Sequence, residues 1–123
     1  MINAVLFDLD GTLLPMDQEV FIKAYLGGMG KKLPPYGYDP DLLAKAIWMG
    51  TGAMTRNDGT RMNEEVFWQV FNSVMGKDCR KEEYLFMDFY RNEFQKVKDV
   101  CGYTPNSLKL IRMLQQKGIR LIL

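Results

Sequence analysis

The hydrophobic positions of this chain follow two patterns: a continuous apolar run near each end, and helical spacing between them. Residues 4–7 form an apolar run that does not alternate with polar residues, and residues 119–123 contain a second run. Runs of this kind are typical of strands buried on both faces of a parallel sheet. We therefore expect one strand over residues 3–7, a second over residues 119–123, and a mostly helical chain between them.

The first two helices are predicted from apolar residues that recur every three or four positions. Asp17 offers an N-cap to the first helix, expected over residues 18–27, where a group of glycines weakens the pattern. Asp39 followed by Pro40 is the usual start of a helix and begins the second one. The Gly-Thr-Gly sequence at residues 50–52 is expected to interrupt this helix or to end it.

Three further helices follow from the same spacing. Asn63 is expected to cap the third helix, and Gly76 is placed to end it. Segment 81–98 carries apolar residues at helical spacing and predicts the fourth. The fifth begins at Thr104, a capping residue followed by proline, and ends before Gly118. The first four helices predict a bundle, and the fifth leads into the second strand.

Length and charge exclude several classes of protein. The chain has 123 residues, with 16 basic residues against 15 acidic ones and a net charge of +1. This balance argues against nucleic-acid or membrane binding driven by bulk charge. A hydrophobic fraction of 47% is too high for a disordered chain, and no apolar run reaches the roughly 20 residues that span a bilayer. We expect a cytoplasmic protein.

The chain contains no histidine, which restricts its chemistry. Its two cysteines, Cys79 and Cys101, lack the neighbours of a structural zinc site, and we interpret them as ordinary thiols. Without histidine, there is no histidine general base and no triad built on one. Any catalysis must therefore use carboxylates, hydroxyls, lysines or thiols.

Two aspartates follow the first predicted strand, and a glycine comes directly after them. Asp8 and Asp10 are separated by Leu9 and precede Gly11, which lets the backbone leave the strand in a conformation that other residues resist. In open α/β sheets, ligands bind at the carboxyl ends of the strands. Carboxylates this close repel each other unless a cation or a proton lies between them. Because Mg²⁺ prefers hard oxygen ligands, we predict that both aspartates hold Mg²⁺.

The same two carboxylates suit phosphoryl transfer. Asp8 is expected to attack phosphorus and form an aspartyl-phosphate, since a carboxylate can be the nucleophile in such reactions. Asp10 is expected to protonate the leaving oxygen and then to activate water. The backbone amides of Leu9 and Asp10 are expected to meet the phosphoryl oxygens. Thr12 is either a further phosphate-binding residue or an ordinary turn hydroxyl.

Residues 5–14 resemble the first motif of the haloacid dehalogenase-like hydrolase superfamily, a strand that ends in Asp-x-Asp-Gly-Thr. The resemblance implies an α/β fold, in which a Rossmann-like parallel-sheet core is interrupted by a helical cap. Residues 1–15 and 99–123 correspond to the core, and residues 16–98 to the cap. It also implies that Asp8 is nucleophile and metal ligand, and that the backbone carbonyl of Asp10 reaches the metal. Dehalogenases of the superfamily lack the second aspartate, so Asp10 favours phosphate chemistry.

The resemblance also implies parts that this sequence does not contain. The family pattern continues with a Ser or Thr after the second strand, a Lys and an acidic pair, all of which are expected beyond Leu123. Two parallel strands with one helix cannot cover both faces of a sheet. We therefore expect a longer chain or a second polypeptide to complete the core, and we expect the 123 residues alone to be inactive.

The leading hypothesis is a magnesium-dependent phosphatase that hydrolyses a small phosphomonoester. A sugar phosphomutase of the same superfamily is an enzyme alternative, and a non-catalytic phosphoacceptor or scaffold domain is an alternative of another class. Arg56, Arg61 and the pair Lys31–Lys32 are basic residues of the predicted cap. They either reach an anionic substrate or are solvated surface charges, and their residue types favour the second interpretation.

Overall fold

A computed structural model describes all 123 residues, and helical segments hold 65% of them. The strands and α-helices are, in chain order, β1 (Ala4–Leu6), α1 (Gln18–Lys32), α2 (Pro40–Thr55), α3 (Asn63–Met75), α4 (Glu83–Asn92), α5 (Pro105–Gln116) and β2 (Arg120–Ile122). Short 3-10 helices cover Pro34–Tyr36, Cys79–Glu82 and Phe94–Val100. None of the helices combines the length and the apolar character needed to cross a bilayer.

The only sheet consists of β1 and β2, which pair in parallel with Val5 opposite Leu121. Both strands lie where the apolar runs predict them, but each is only three residues long. The predicted α/β fold with a Rossmann-like core is therefore wrong for this chain, which is mostly helical. The strands were also expected to be buried on both faces, but Leu6 of β1 is 75% exposed and Ile122 of β2 is 42% exposed. A parallel sheet is buried only when layers cover both of its faces.

The chain divides into two compact units. One unit, called the terminal unit here, comprises Met1–Ala24 and Lys96–Leu123, and Val97 is its only buried residue. The other, called the bundle unit, comprises Tyr25–Gln95 and contains the hydrophobic core. The largest fully buried side chains of that core are Tyr38, Phe71, Phe89, Met29, Leu33, Leu43 and Cys79. The division into 1–15 with 99–123 and 16–98 stays a prediction.

Two glycine groups, one expected to weaken the first helix and one expected to interrupt or end the second, lie inside helices. Helix α1 continues through the first group and α2 through the second, because Gly28 and Gly50 face aromatic rings of the bundle core. A Cβ at Gly28 would lie 3.0 Å from the ring of Phe89, and a Cβ at Gly50 would lie 2.6 Å from the ring of Phe67. The absence of a side chain at these positions lets helix and ring approach each other.

The structure confirms several of the predicted helix ends. Asp39 caps α2 by accepting a hydrogen bond from the Leu42 amide at 2.8 Å, and Thr104 caps α5. Gly76 ends α3 with a φ of +69°, in the left-handed region that favours glycine. Asn63, by contrast, is the first residue of α3 and does not cap it. Segment 81–98 is also not one helix, since α4 is followed by a 3-10 helix.

Exchanging glycine for alanine at two helix positions should have opposite effects on stability. Gly27→Ala should raise the free energy of unfolding by about 0.5–1 kcal/mol, because nothing lies within 4 Å of the added Cβ and alanine favours the helix. Gly50→Ala should lower it by about 1–2 kcal/mol, because the added Cβ overlaps Phe67. Urea titrations followed by tryptophan fluorescence measure both. Equal shifts for the two variants would contradict the close approach at Gly50.

Tyr38 is a buried tyrosine whose hydroxyl is held by charged neighbours. The hydroxyl donates to Oε2 of Glu82 at 2.6 Å, and Lys77 donates to the same oxygen at 2.8 Å. The Nζ atom of Lys77 lies 4.2 Å from the centroid of the Tyr38 ring. Burial, followed by the hydrogen bond to Glu82, raises the pKa of Tyr38 far above that of a free tyrosine.

This raised pKa predicts a loss of stability in alkali. Above about pH 10, the unfolded chain releases the Tyr38 proton while the folded chain keeps it, so the free energy of unfolding falls as pH rises. Tyr38→Phe should make this fall shallower by up to about 1.4 kcal/mol per pH unit. Urea titrations between pH 9 and 11 measure the slope. Tyr84→Phe is the control, because Tyr84 is 66% exposed; an equal change there would contradict the prediction.

Candidate active site

The candidate site begins where β1 ends. The amide of Phe7 still donates to the carbonyl of Ile122 at 2.8 Å, so the pairing continues for one residue beyond the strand. Asp8 follows directly, and the stretch from Asp8 to Thr12 is exposed. The first carboxylate therefore emerges at the carboxyl end of β1, the edge at which the sequence pattern predicts it.

A tight turn follows Asp8 and carries the second carboxylate. The carbonyl of Leu9 accepts hydrogen bonds from Thr12 at 3.1 Å and from Leu14 at 2.9 Å, and Gly11 donates to the carbonyl of Leu14 at 2.9 Å. Gly11 has a φ of +74°, a conformation that L-residues rarely adopt. These bonds use none of the amides of Leu9 and Asp10, so both N–H groups are available to an anion.

Thr12 contacts the first carboxylate of the motif. Its Oγ1 donates to Oδ2 of Asp8 at 3.3 Å, a long hydrogen bond between exposed side chains. Oδ1 of Asp8 accepts no hydrogen bond within the chain. This contact does not decide between the two interpretations of Thr12, and phosphate binding by Thr12 stays a prediction.

Two contacts from the Lys96–Leu123 part of the terminal unit hold the end of the turn. Ser107 Oγ, in the first turn of α5, donates to the carbonyl of Leu13 at 2.7 Å, and Gly102 donates to the carbonyl of Pro15 at 2.6 Å. Neither contact is predictable from the sequence. A serine in the first turn of a helix and a glycine before it have no pattern that points to a carbonyl some 90 residues earlier.

The candidate metal ligands at this site are the carboxylates of Asp8 and Asp10. No group of three or more aspartates, glutamates or cysteines lies together in a way that would hold a metal ion. Asp8 and Asp10 nevertheless fit Mg²⁺ in kind, because Mg²⁺ is usually held by one or two carboxylates, with waters and substrate phosphate in its other positions. Their exposure leaves room for those other ligands.

The basic residues of the bundle unit differ in their surroundings. Lys32 donates to Asp88 and, at 3.0 Å, to Glu93, and these hydrogen bonds raise the pKa of Lys32 to about 12. Its charge is therefore already compensated. Arg56 and Arg61 lie instead on an open pocket between α2 and α3, and neither forms an ion pair.

Comparisons with protein-family models, with curated proteins and with solved structures find no match for this chain.

Proposed function

We propose that this protein is a magnesium-dependent hydrolase of small phosphomonoesters, and that it belongs to the haloacid dehalogenase-like superfamily whose first motif residues 5–14 resemble. The observation that carries the proposal is the arrangement after β1. There, two exposed carboxylates, Asp8 and Asp10, share one turn with two unbonded amide groups. Carboxylates alone would suit many cation sites, but the adjacent N–H groups add binding for an anion.

In the proposed reaction, Oδ1 of Asp8 attacks the phosphorus atom and the bond from phosphorus to the leaving oxygen breaks. The proton of the Asp10 carboxyl group moves to that oxygen, so the alcohol leaves neutral. Water then attacks the aspartyl-phosphate, Asp10 takes up a proton from the water, and the bond between phosphorus and Asp8 breaks. Phosphate is released, and both aspartates return to their initial protonation states.

The local contacts support this division of roles. Thr12 donates to Oδ2 of Asp8, while Oδ1 carries no hydrogen bond that attack would have to break. The amides of Leu9 and Asp10 donate to no backbone carbonyl, so in the proposed reaction they would stabilise charge on the phosphoryl oxygens. Bound Mg²⁺ would neutralise negative charge on the carboxylates and on the phosphoryl group. A cytoplasmic location is part of the proposal, since free thiols at Cys79 and Cys101 suit a reducing compartment.

The test is release of inorganic phosphate by the complete protein from a panel of phosphomonoesters, with Mg²⁺ and with a chelator in excess. The proposal requires turnover of at least one monoester with Mg²⁺ and its loss with the chelator. Trapping the reaction in acid should yield a chain that carries one phosphoryl group, which hydroxylamine removes, as expected for an acyl phosphate. A complete protein that binds Mg²⁺ and hydrolyses no monoester would favour the phosphoacceptor or scaffold alternative.

A further inference from the structure

A second polar pocket lies in the bundle unit, between the end of α2 and the beginning of α3. It is open to solvent and has a volume of about 270 Å³, below the usual range for drug-sized ligands. Polar side chains of the connecting loop line most of it, and Val66 forms a buried part of its floor. Its size and lining suit a small polar ligand better than a large apolar one.

Hydrogen bonds within the loop hold the pocket in shape. The side-chain amide of Asn57 donates to the carbonyl of Arg61 and to Oδ1 of Asn63, both at 2.8 Å. Oδ1 of Asp58 accepts from the amide of Thr60 at 3.0 Å and from its hydroxyl at 2.7 Å. These bonds lower the pKa of Asp58, the backbone one most. The one carboxylate of the loop is therefore held by the neutral donors of Thr60, with a smaller contribution from the charge of Arg61.

Neither of the two arginines of the pocket forms an ion pair with a carboxylate. The guanidinium of Arg56 makes no hydrogen bond and no ion pair, and it lies beside Gly52, where a Cβ would come within 3.3 Å of Nη1. Nη1 of Arg61 donates to Oε1 of Gln69 at 2.6 Å, a neutral acceptor, and the charge of Arg61 helps to lower the pKa of Asp58 without an ion pair between them. Two guanidinium groups against one engaged carboxylate make the pocket a place of net positive charge.

We propose that this pocket binds a small oxyanion, a carboxylate or a phosphate group, through Arg56 and Arg61. The planar guanidinium presents paired N–H donors that match the oxygens of either anion. The guanidinium donors of Arg56 are all free, and Arg61 keeps further donors beyond the one that Gln69 occupies. This site belongs to the bundle unit and does not depend on the reaction proposed for Asp8.

The test is a titration of the ¹⁵N-labelled protein, without Mg²⁺, with inorganic phosphate and separately with acetate, at constant ionic strength set by chloride. Saturable shifts of the Arg56 side-chain resonance and of the amides of residues 56–61 are expected with at least one anion. A response to only one of the two anions shows whether the pocket binds a phosphate group or a carboxylate. Arg56→Gln should weaken binding about tenfold or more, because it removes a charged donor.

Arg91→Gln provides the matched control, because Arg91 is exposed in the last turn of α4 and lies outside the pocket. This variant loses the same charge and should bind the anion as the unsubstituted protein does. Two results would overturn the proposal: no saturable shift with either anion, or equal weakening by Arg56→Gln and Arg91→Gln. Because Arg56 is exposed, its substitution is not expected to unfold the bundle, and the unchanged spectrum of the other residues checks this.

Discussion

Asp8→Asn should lower kcat/KM for any phosphomonoester by about 10⁴-fold or more, because an amide cannot form the covalent phosphoryl intermediate. The substitution keeps the size of the side chain, and its oxygen can still accept the hydrogen bond that Thr12 donates to Oδ2. The loss would therefore report on chemistry at Asp8 rather than on a disturbed turn. Steady-state kinetics of the complete protein at saturating Mg²⁺ measures it, and the trapped phosphoryl adduct should disappear at the same time.

Asp17→Asn is the matched control for this prediction. Asp17 lies in the same unit, its carboxylate accepts hydrogen bonds from the amides of Glu19 and Val20, and asparagine is an equally good N-cap. The control loses the same charge near the motif and should keep its activity. If Asp8→Asn and Asp8→Ala both retain activity within about tenfold of the unsubstituted protein, Asp8 is not the nucleophile.

The local parts of this chain were predictable from its sequence, because short-range rules determine them. Asp39 and Thr104 cap their helices as expected, since a cap needs only a side-chain oxygen near the first amides. The strand and turn around Asp8 follow from the apolar run and from Gly11 in the same way. The predicted roles of Asp8 and Asp10 remain predictions, because they depend on a substrate.

Tertiary contacts explain what sequence patterns missed. Glycine usually weakens a helix, but at Gly28 and Gly50 an aromatic ring from another helix occupies the space of the missing side chain. The rings of Phe89 and Phe67 are far away in sequence, so the pattern around each glycine carries no sign of them. The predicted fold class was wrong for a related reason. Apolar runs predict strands, but whether layers cover the strands depends on the rest of the chain.

Asp10→Asn should lower kcat/KM for an alkyl phosphate by about 10²–10⁴-fold, because asparagine cannot give a proton to the leaving alkoxide. The loss should be much smaller in the first step with p-nitrophenyl phosphate, since nitrophenolate leaves without being protonated. The second step still needs a base to activate water, so the aspartyl-phosphate on Asp8 should accumulate. Rapid mixing of Asp10→Asn with p-nitrophenyl phosphate should then show a burst of about one nitrophenolate per chain.

The comparison of these two substrates separates a proton-transfer role of Asp10 from a purely metal-binding one. If Asp10 only helped to hold Mg²⁺, its loss would slow both substrates by a similar factor, and extra Mg²⁺ would restore part of the rate. If it transfers protons, the factor depends on the leaving group and excess Mg²⁺ does not restore it. Because the amide of Asp10 belongs to the backbone, the Asn variant keeps this donor. A burst with one substrate and a slow steady state with both would therefore assign Asp10 as acid and base.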